Sequence, residues 1–256
     1  MKTLNLTALE GFPLIQPGND LPGLITNSLH QNGIQLNSGD ILVIAQKIVS
    51  KAEGRYRDLS EVQPTENALK LSRITGKDPR FVELVLQESK SILRAKTGTL
   101  IVEHRIGFIC ANAGIDHSNV DNQGKVTEDR VLLLPENPDL SAARIREQME
   151  TRTGCKLGVM IIDSHGRSWR MGIVGVAIGF SGIPGLVDMR GKKDLFGFEL
   201  KVTQIAAADE LAASASLLMG QADESLPVVL VRGFPYPLRE SSLRELIRSS
   251  DQDLFR

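Results

Sequence analysis

Residues 40–51 read Asp-Ile-Leu-Val-Ile-Ala-Gln-Lys-Ile-Val-Ser-Lys. A run of five apolar residues leaving a Ser-Gly turn at 38–39 describes a short strand covered on both faces. The run stops on polar side chains, so the strand presents Gln46, Lys47, Ser50 and Lys51 at and beyond its end. No GxxxxGKS/T and no GxGxxG follows a strand in this chain, which excludes a P-loop and a Rossmann site. Any nucleotide must be held in another way.

Outward from that strand, Leu157–Ile162 forms a second buried run that opens into Asp163-Ser-His-Gly-Arg-Ser-Trp-Arg170. Thr99–Glu103 and Ile106–Cys110 make a pair of short strands, the second opening into the loop Ala111–Asn119. Leu4, Leu6 and Ala8 alternate in an opening strand, and Pro227–Val231 is the last one. The segment GFPLIQPGNDLPG, 11–23, is Gly- and Pro-rich and reads as a loop too polar for the core. Helices are expected at Leu24–Gln31, closed by Asn32-Gly33, at Thr65–Thr75, and from Pro79 to about Lys90 with Phe81, Leu84, Val85 and Ile92 as its apolar set. Two more run from about Ser141 to Arg152, ending at Gly154, and from Gln204 to Met219, where Gly220 is a left-handed cap and Gln221–Ser225 an exposed turn. Strands and helices mix without a βαβ rhythm, so the fold class is α+β, with mixed sheets and helices. Residues 1–237 form the core, as one body or two intertwined lobes, and 238–256, where charge alternates with Leu, form a C-terminal tail or linker.

With 41% hydrophobic and 24% charged residues in 256, the chain has ample material for a core. A net charge of -1 without a Lys/Arg-rich block argues against nucleic acid, and 4% aromatic residues leave few rings for base stacking. Cys110 and Cys155 lie far apart and outside any zinc or disulfide spacing, as small apolar residues of a reduced compartment. The N-terminus lacks an export h-region, and Met171–Val187 is too short and interrupted to span a bilayer. That stretch reads as buried strands and turns, and the location as cytoplasmic, without a membrane.

Chemistry concentrates in two acidic loops. Asp116 and Asp163 each follow a strand, where carboxylates ordinarily accept backbone N–H groups but also meet cations. Mg²⁺ and Mn²⁺ take oxygen ligands, so two such loops could converge on a metal pair. His117 and His165 stand close by, but neither an HExxH helix nor a three-His set exists, and both are left out. Lys47 and Lys51 could hold phosphate, although a strand-end Lys is ordinarily solvated. Arg167 and Arg170 stay of interest for their nearness to Asp163.

Read together, FPLI (12–15), VIAQKIVSKAEGR (43–55), ANAGIDHSN (111–119), VMIIDSHGRSWRMG (159–172) and ADELAASASLLMGQADESLP (208–227) resemble, in order, the coenzyme F420-0:L-glutamate ligase family. The resemblance implies a GTP-dependent ligase joining L-glutamate to the lactyl carboxylate of the deazaflavin coenzyme precursor, with a further γ-linked glutamate in many members. It implies Mg²⁺ or Mn²⁺, as a pair, with K⁺ as an optional companion, and a homodimer. Metal ligands fall on Asp116, Asp163, Ser164 and Gln221; catalytic roles fall on Asp116, Asp163 and Lys51. Nucleotide contacts fall on Phe12, Pro13, Leu14, Ile15, Gln46, Lys47, Lys51 and Asn119, and on Met219, Gly220, Gln221, Ala222, Asp223, Glu224, Ser225 and Leu226. In some bacterial members a tail like this one leads to a flavin-binding domain, so the chain is expected to be either a stand-alone enzyme or a shortened one. The competing readings are a metal-dependent nucleotide or phosphoester hydrolase and a non-catalytic GTP-binding regulator.

Overall fold

The computed structural model describes residues 2–120 and 129–253. The chain begins β1 (Asn5–Ala8), α1 (Leu21–Gln31), β2 (Ile41–Ala45), α2 (Gln46–Ala52) and β3 (Tyr56–Asp58). There follow α3 (Glu66–Thr75), α4 (Pro79–Gln87), β4 (Ser89–Lys96), β5 (Thr99–His104), β6 (Ile109–Ala111) and β7 (Arg130–Leu132). The C-terminal half adds α5 (Pro138–Thr153), β8 (Gly158–Arg167), β9 (Arg170–Ser181), β10 (Val187–Asp188), β11 (Gln204–Ile205), α6 (Ala207–Met219) and β12 (Val228–Arg232).

The main sheet has the order β1-β12-β2-β8-β9, with β2 and β8 parallel and the other pairs antiparallel. Lying mid-sheet, β2 is buried on both faces, which is why it carries no alternation in sequence. Leu42, Ile44, Val159 and Ile161 pack against Ile25 and Leu29 of α1 and Ile145 and Met149 of α5. Ile41, Val43, Met160 and Ile162 pack against Leu211, Ala212 and Ala215 of α6 on the other face. Glycines in β9 let these helices come close: a Cβ at Gly175 would lie 2.6 Å from the Ala212 carbonyl oxygen, and one at Gly179 would lie 2.4 Å from Pro138. A second layer, the antiparallel sheet β4-β5-β6, buries its own core with α3 and α4 around Phe81, Val85, Leu100 and Val102. Phe108, between β5 and β6, touches all three cores. The fold is thus α+β with mixed sheets.

Several local expectations are corrected. α1 starts at Leu21, three residues earlier than read, because the Asp20 carboxylate accepts from the Gly23 N–H and Pro22 fits the first turn. Ile15 and Leu21, in the stretch read as too polar, are buried. α4 ends at Gln87, and Ile92 belongs to a strand; the stop falls at Glu88, whose buried carboxylate pairs with Arg55 at 3.1 Å. α6 starts at Ala207, since Gln204–Ile205 pair with Val187–Asp188. Gly220 ends it at φ 71°, ψ -171°, which is not a left-handed cap.

The stretch Met171–Val187 is buried only in its later part; its beginning is exposed, with Met171 at 96%. The tail contributes Leu243 to the core on the α6 side. Cys110 is buried, its thiol pushed up to about 12 by burial, Cys155 is half-buried, and neither is bonded. Among the described residues no helix is long and apolar enough to cross a membrane.

Candidate functional site

The site forms where β2 stops and β8 runs on. Ala45 is the last residue of β2 paired with β8, opposite Ile162. Beyond that pair the chain turns into α2, so Gln46, Lys47 and Lys51 stand beside Asp163 and Ser164. Asp163 does not lie in a loop, as the sequence reading placed it: β8 continues through it to Arg167, paired with β9. Strand alternation then puts Asp163 on the same face as Ile161, toward α1 and α5, and Ser164 on the α6 face.

Asp116 arrives from the second layer. Asn112, Ala113 and Gly114 take φ of 51°, 53° and 64°, a left-handed turn that Asn and Gly tolerate and buried Ala113 does not favour. The turn aims Ile115 and Asp116 at Leu132, with which Asp116 exchanges both backbone hydrogen bonds at 2.9 Å. Its side chain reaches the end of β2: Gln46 Nε2 donates to Oδ2 at 2.6 Å and Lys47 Nζ lies 3.5 Å from Oδ1. Gln46 is buried, and its Oε1 accepts from Ser50 Oγ at 3.0 Å, which fixes the amide.

Burial pushes the Asp116 carboxyl up to about 6; Lys47 pulls it down and the negative charge of Asp163 pushes it up. Gln46 and Lys47, which contact Asp116, also line one cavity with Asp163, so residues distant along the chain come to the same place. Both carboxylates are hard oxygen donors, Lys47 contacts the first and lines one cavity with the second, and a divalent cation fits such a pair of carboxylates. Among the described residues no three His, Cys, Asp or Glu side chains form a ready ion cage, so any ion would draw further oxygens from amides, hydroxyls or a ligand.

Beside the two carboxylates opens a cavity of about 470 Å³. Every residue that the sequence reading placed at a nucleotide lines it: Phe12–Ile15, Gln46, Lys47, Lys51, Asn119 and Met219–Leu226. Asp163 and Ser164 line it as well, as do Ile48, Val120 and Ser216, which sequence reading had not singled out. Asn119 Nδ2 donates to the Ala222 carbonyl at 2.9 Å, tying the acidic loop to the segment after α6. Gly220 is required there by its backbone, since φ 71° and ψ -171° lie in a region that only glycine adopts without strain.

Of the residues set aside, His117 stacks on Phe81, while His165 Nε2 sits 3.0 Å from Asp163 Oδ2. The sequence signal for the latter was i, i+2 spacing, informative only once residues 163–165 are known to be strand. Arg167 and Arg170 flank the exposed β8–β9 turn.

These features define a class: an α+β protein whose small-molecule pocket is made of side chains at the end of a central strand, carboxylates and lysines together, without a glycine-rich phosphate loop. The family model F420-0:Gamma-glutamyl ligase matches residues 11–233. A coenzyme F420:L-glutamate ligase of Methanothermobacter thermautotrophicus is 46% identical over 255 residues, 99% of each chain. The enzymes of that name from Methanocaldococcus jannaschii and Archaeoglobus fulgidus are 46% identical over 221 residues, 86% of each chain, and 42% identical over 248 residues, 97% of this chain and 94% of the other. The chain belongs to the F420-0:gamma-glutamyl ligase family.

Proposed function

We propose that this protein uses GTP to form an amide between L-glutamate and the carboxylate of the coenzyme F420 precursor, with a further γ-linked glutamate as a second round. The observation that carries the reading is that Asp163 lines, with Gln46 and Lys47, a cavity in the roughly 300–1,000 Å³ range of small-molecule sites, while the same Gln46 and Lys47 hold Asp116. Names borne by relatives that match 86–99% of their length supply the substrates.

A carboxylate is a poor electrophile, so an oxygen of the precursor's carboxylate attacks the γ-phosphorus, the bond to the β-phosphate oxygen breaks, and GDP leaves. The glutamate amine then attacks the acyl carbon, the acyl C–O bond breaks, phosphate departs and the nitrogen loses a proton. Asp116 and Asp163, with Ser164 and Gln221 as further oxygen donors, would hold Mg²⁺ or Mn²⁺, which supplies charge compensation for the phosphates. Lys47 and Lys51 steady the phosphates, and residues 12–15 and 219–226 wall the nucleotide. Positioning and electrostatics suffice, so no nucleophilic side chain is required.

The test is mass spectrometry of the precursor incubated with protein, GTP, Mg²⁺ or Mn²⁺ and glutamate, which counts the glutamyl units added. Asp116→Ala and Asp163→Ala should each nearly abolish addition. Phosphate release that needs neither glutamate nor precursor would replace the ligase with a hydrolase; tight GTP binding without turnover under any substrate would make the chain a regulator. We also infer a homodimer, supported by an apolar ribbon at residues 189–203 that nothing among the described residues covers.

A further inference from the structure

Asp163 and His165 stand on one face of β8, two residues apart, with the ring Nε2 3.0 Å from Oδ2. Both side chains are largely enclosed, with 14% and 12% of their surface exposed. Facing a carboxylate oxygen, Nε2 is assigned the hydrogen, the tautomer in which the ring donates. The ring is braced: it leans on Phe108 at 5.3 Å between centroids, and Phe108 stacks nearly parallel on the buried His104 at 5.4 Å. Phe108 in turn packs against all three cores, so the ring of His165 rests on a side chain that the body of the molecule holds in place. Across the sheet, Asp209 accepts the Ala177 N–H at 3.0 Å, where β9 bulges between its pairings with Ile161 and Ile162, one residue before Asp163. Bulges re-aim neighbouring side chains, so strand and ring together determine where Asp163 points.

We propose that His165 is a positioning residue: its Nε2–H holds Oδ2 of Asp163, leaving Oδ1 free for the cavity and any cation there. The proposal rests on the reading of Asp163 as a cation ligand. It does not require His165 to touch substrate or to change its charge. A carboxylate ligand free to rotate pays rotamer entropy at each binding event, and losing such an outer hydrogen bond weakens a metal site by about 10–100-fold.

Two substitutions separate the hydrogen bond from the packing. His165→Phe keeps an aromatic ring against Phe108 but has no donor; His165→Gln places an amide N–H near the position of Nε2. Free Mn²⁺ is measured by electron paramagnetic resonance with the full-length protein and GDP, alongside kcat at saturating Mn²⁺ and the urea midpoint. His165→Phe should weaken Mn²⁺ binding about 10–100-fold at an unchanged midpoint, and His165→Gln should restore it to within about threefold. Wild-type Mn²⁺ affinity in His165→Phe overturns the proposal, and so does equal behaviour of the two variants, which would make the ring a packing element. A loss as large as that of Asp163→Asn, unrescued by Gln, would make His165 a ligand and also overturn it. If Asp163→Asn itself binds Mn²⁺ like wild type, the ligand reading of Asp163 fails first, and the positioning role with it.

Discussion

Asp116 shows how a single residue can work against the fold that holds it. Its carboxyl, ordinarily near 3.8, is raised to about 6 by burial and by Asp163, so the folded protein holds its proton more tightly than the unfolded chain does, and ionising it works against the fold. Stability is therefore lost as pH rises from about 3.8 to about 6, a penalty of roughly 3 kcal/mol that is complete above that window. Asp116→Asn should then raise the melting temperature of the ligand-free protein at pH 7.5 while nearly abolishing ligation; an unchanged or lower midpoint would mean that Lys47 and Gln46 already offset the charge. His104 carries the opposite sign. Burial, with the positive charges of Arg105 and Arg55, lowers its ring to about 4, so it is neutral, and its 3.7 Å approach to Glu88 is not an ion pair. Its contribution is intact above the ordinary pKa of 6.5 and is lost as pH falls from there toward 4. His104→Asn can still accept the Ile106 N–H but cannot charge. Between pH 7 and 5 its urea-derived stability should fall about 2 kcal/mol less than that of wild type.

Elements that carry their own boundary signals were legible in the sequence. Thr65 caps α3, Asp78 caps α4 and Gly154 closes α5 in the left-handed conformation, as residue type implies. The acidic positions and lysines could also be picked out, because strand ends and hard-oxygen chemistry leave a local trace. What could not be read is whether polar residues continue a strand. Asp163–Arg167 have loop composition, yet pairing with β9 keeps them extended, and only that shared face joins Asp163 to His165. The seven-residue α2 is likewise too short to show a period, although it sets Lys47 and Lys51 beside the cavity. Gly175 could not be assigned a role until α6 was seen lying across it. Gly175→Ala should push α6 off the sheet, with its C-terminal wall of the cavity, at a cost of about 1–3 kcal/mol. Chemical unfolding together with a raised KM for GTP checks this, and wild-type values for both would show that α6 yields without consequence.

At the scale of the whole molecule, exposed large apolar side chains occur at several places, among them Leu14, Trp169, Met171 and Leu217, but four cluster on one ribbon. From Met189 to Thr203 the chain makes an excursion closed by backbone bonds such as Met189 N–H to Thr203 and Leu200 N–H to Lys192, at 3.1 and 2.8 Å, with the Asp194 carboxylate accepting the Phe196 and Phe198 N–H groups at its tip. Leu195 and Phe196 are 97% and 95% exposed, and Phe198 and Val202 are exposed as well. A two-stranded ribbon is marginal by itself in water, and burying four such side chains would contribute about 6–12 kcal/mol before association costs. The homodimer inferred above gives that surface a cover: a twofold arrangement lets each ribbon lie on the other subunit, so one contact is made twice. Light scattering at micromolar concentration should give about twice the 28.0 kDa chain mass, and Leu195→Ser with Phe196→Ser should give the monomer mass with the melting temperature of the body little changed. A wild-type monomer over that range would reject the dimer and leave the ribbon to a different partner. Dissociation of the double variant without loss of GDP binding would further place the nucleotide pocket wholly within one chain, as the lining of its cavity by residues 12–227 implies.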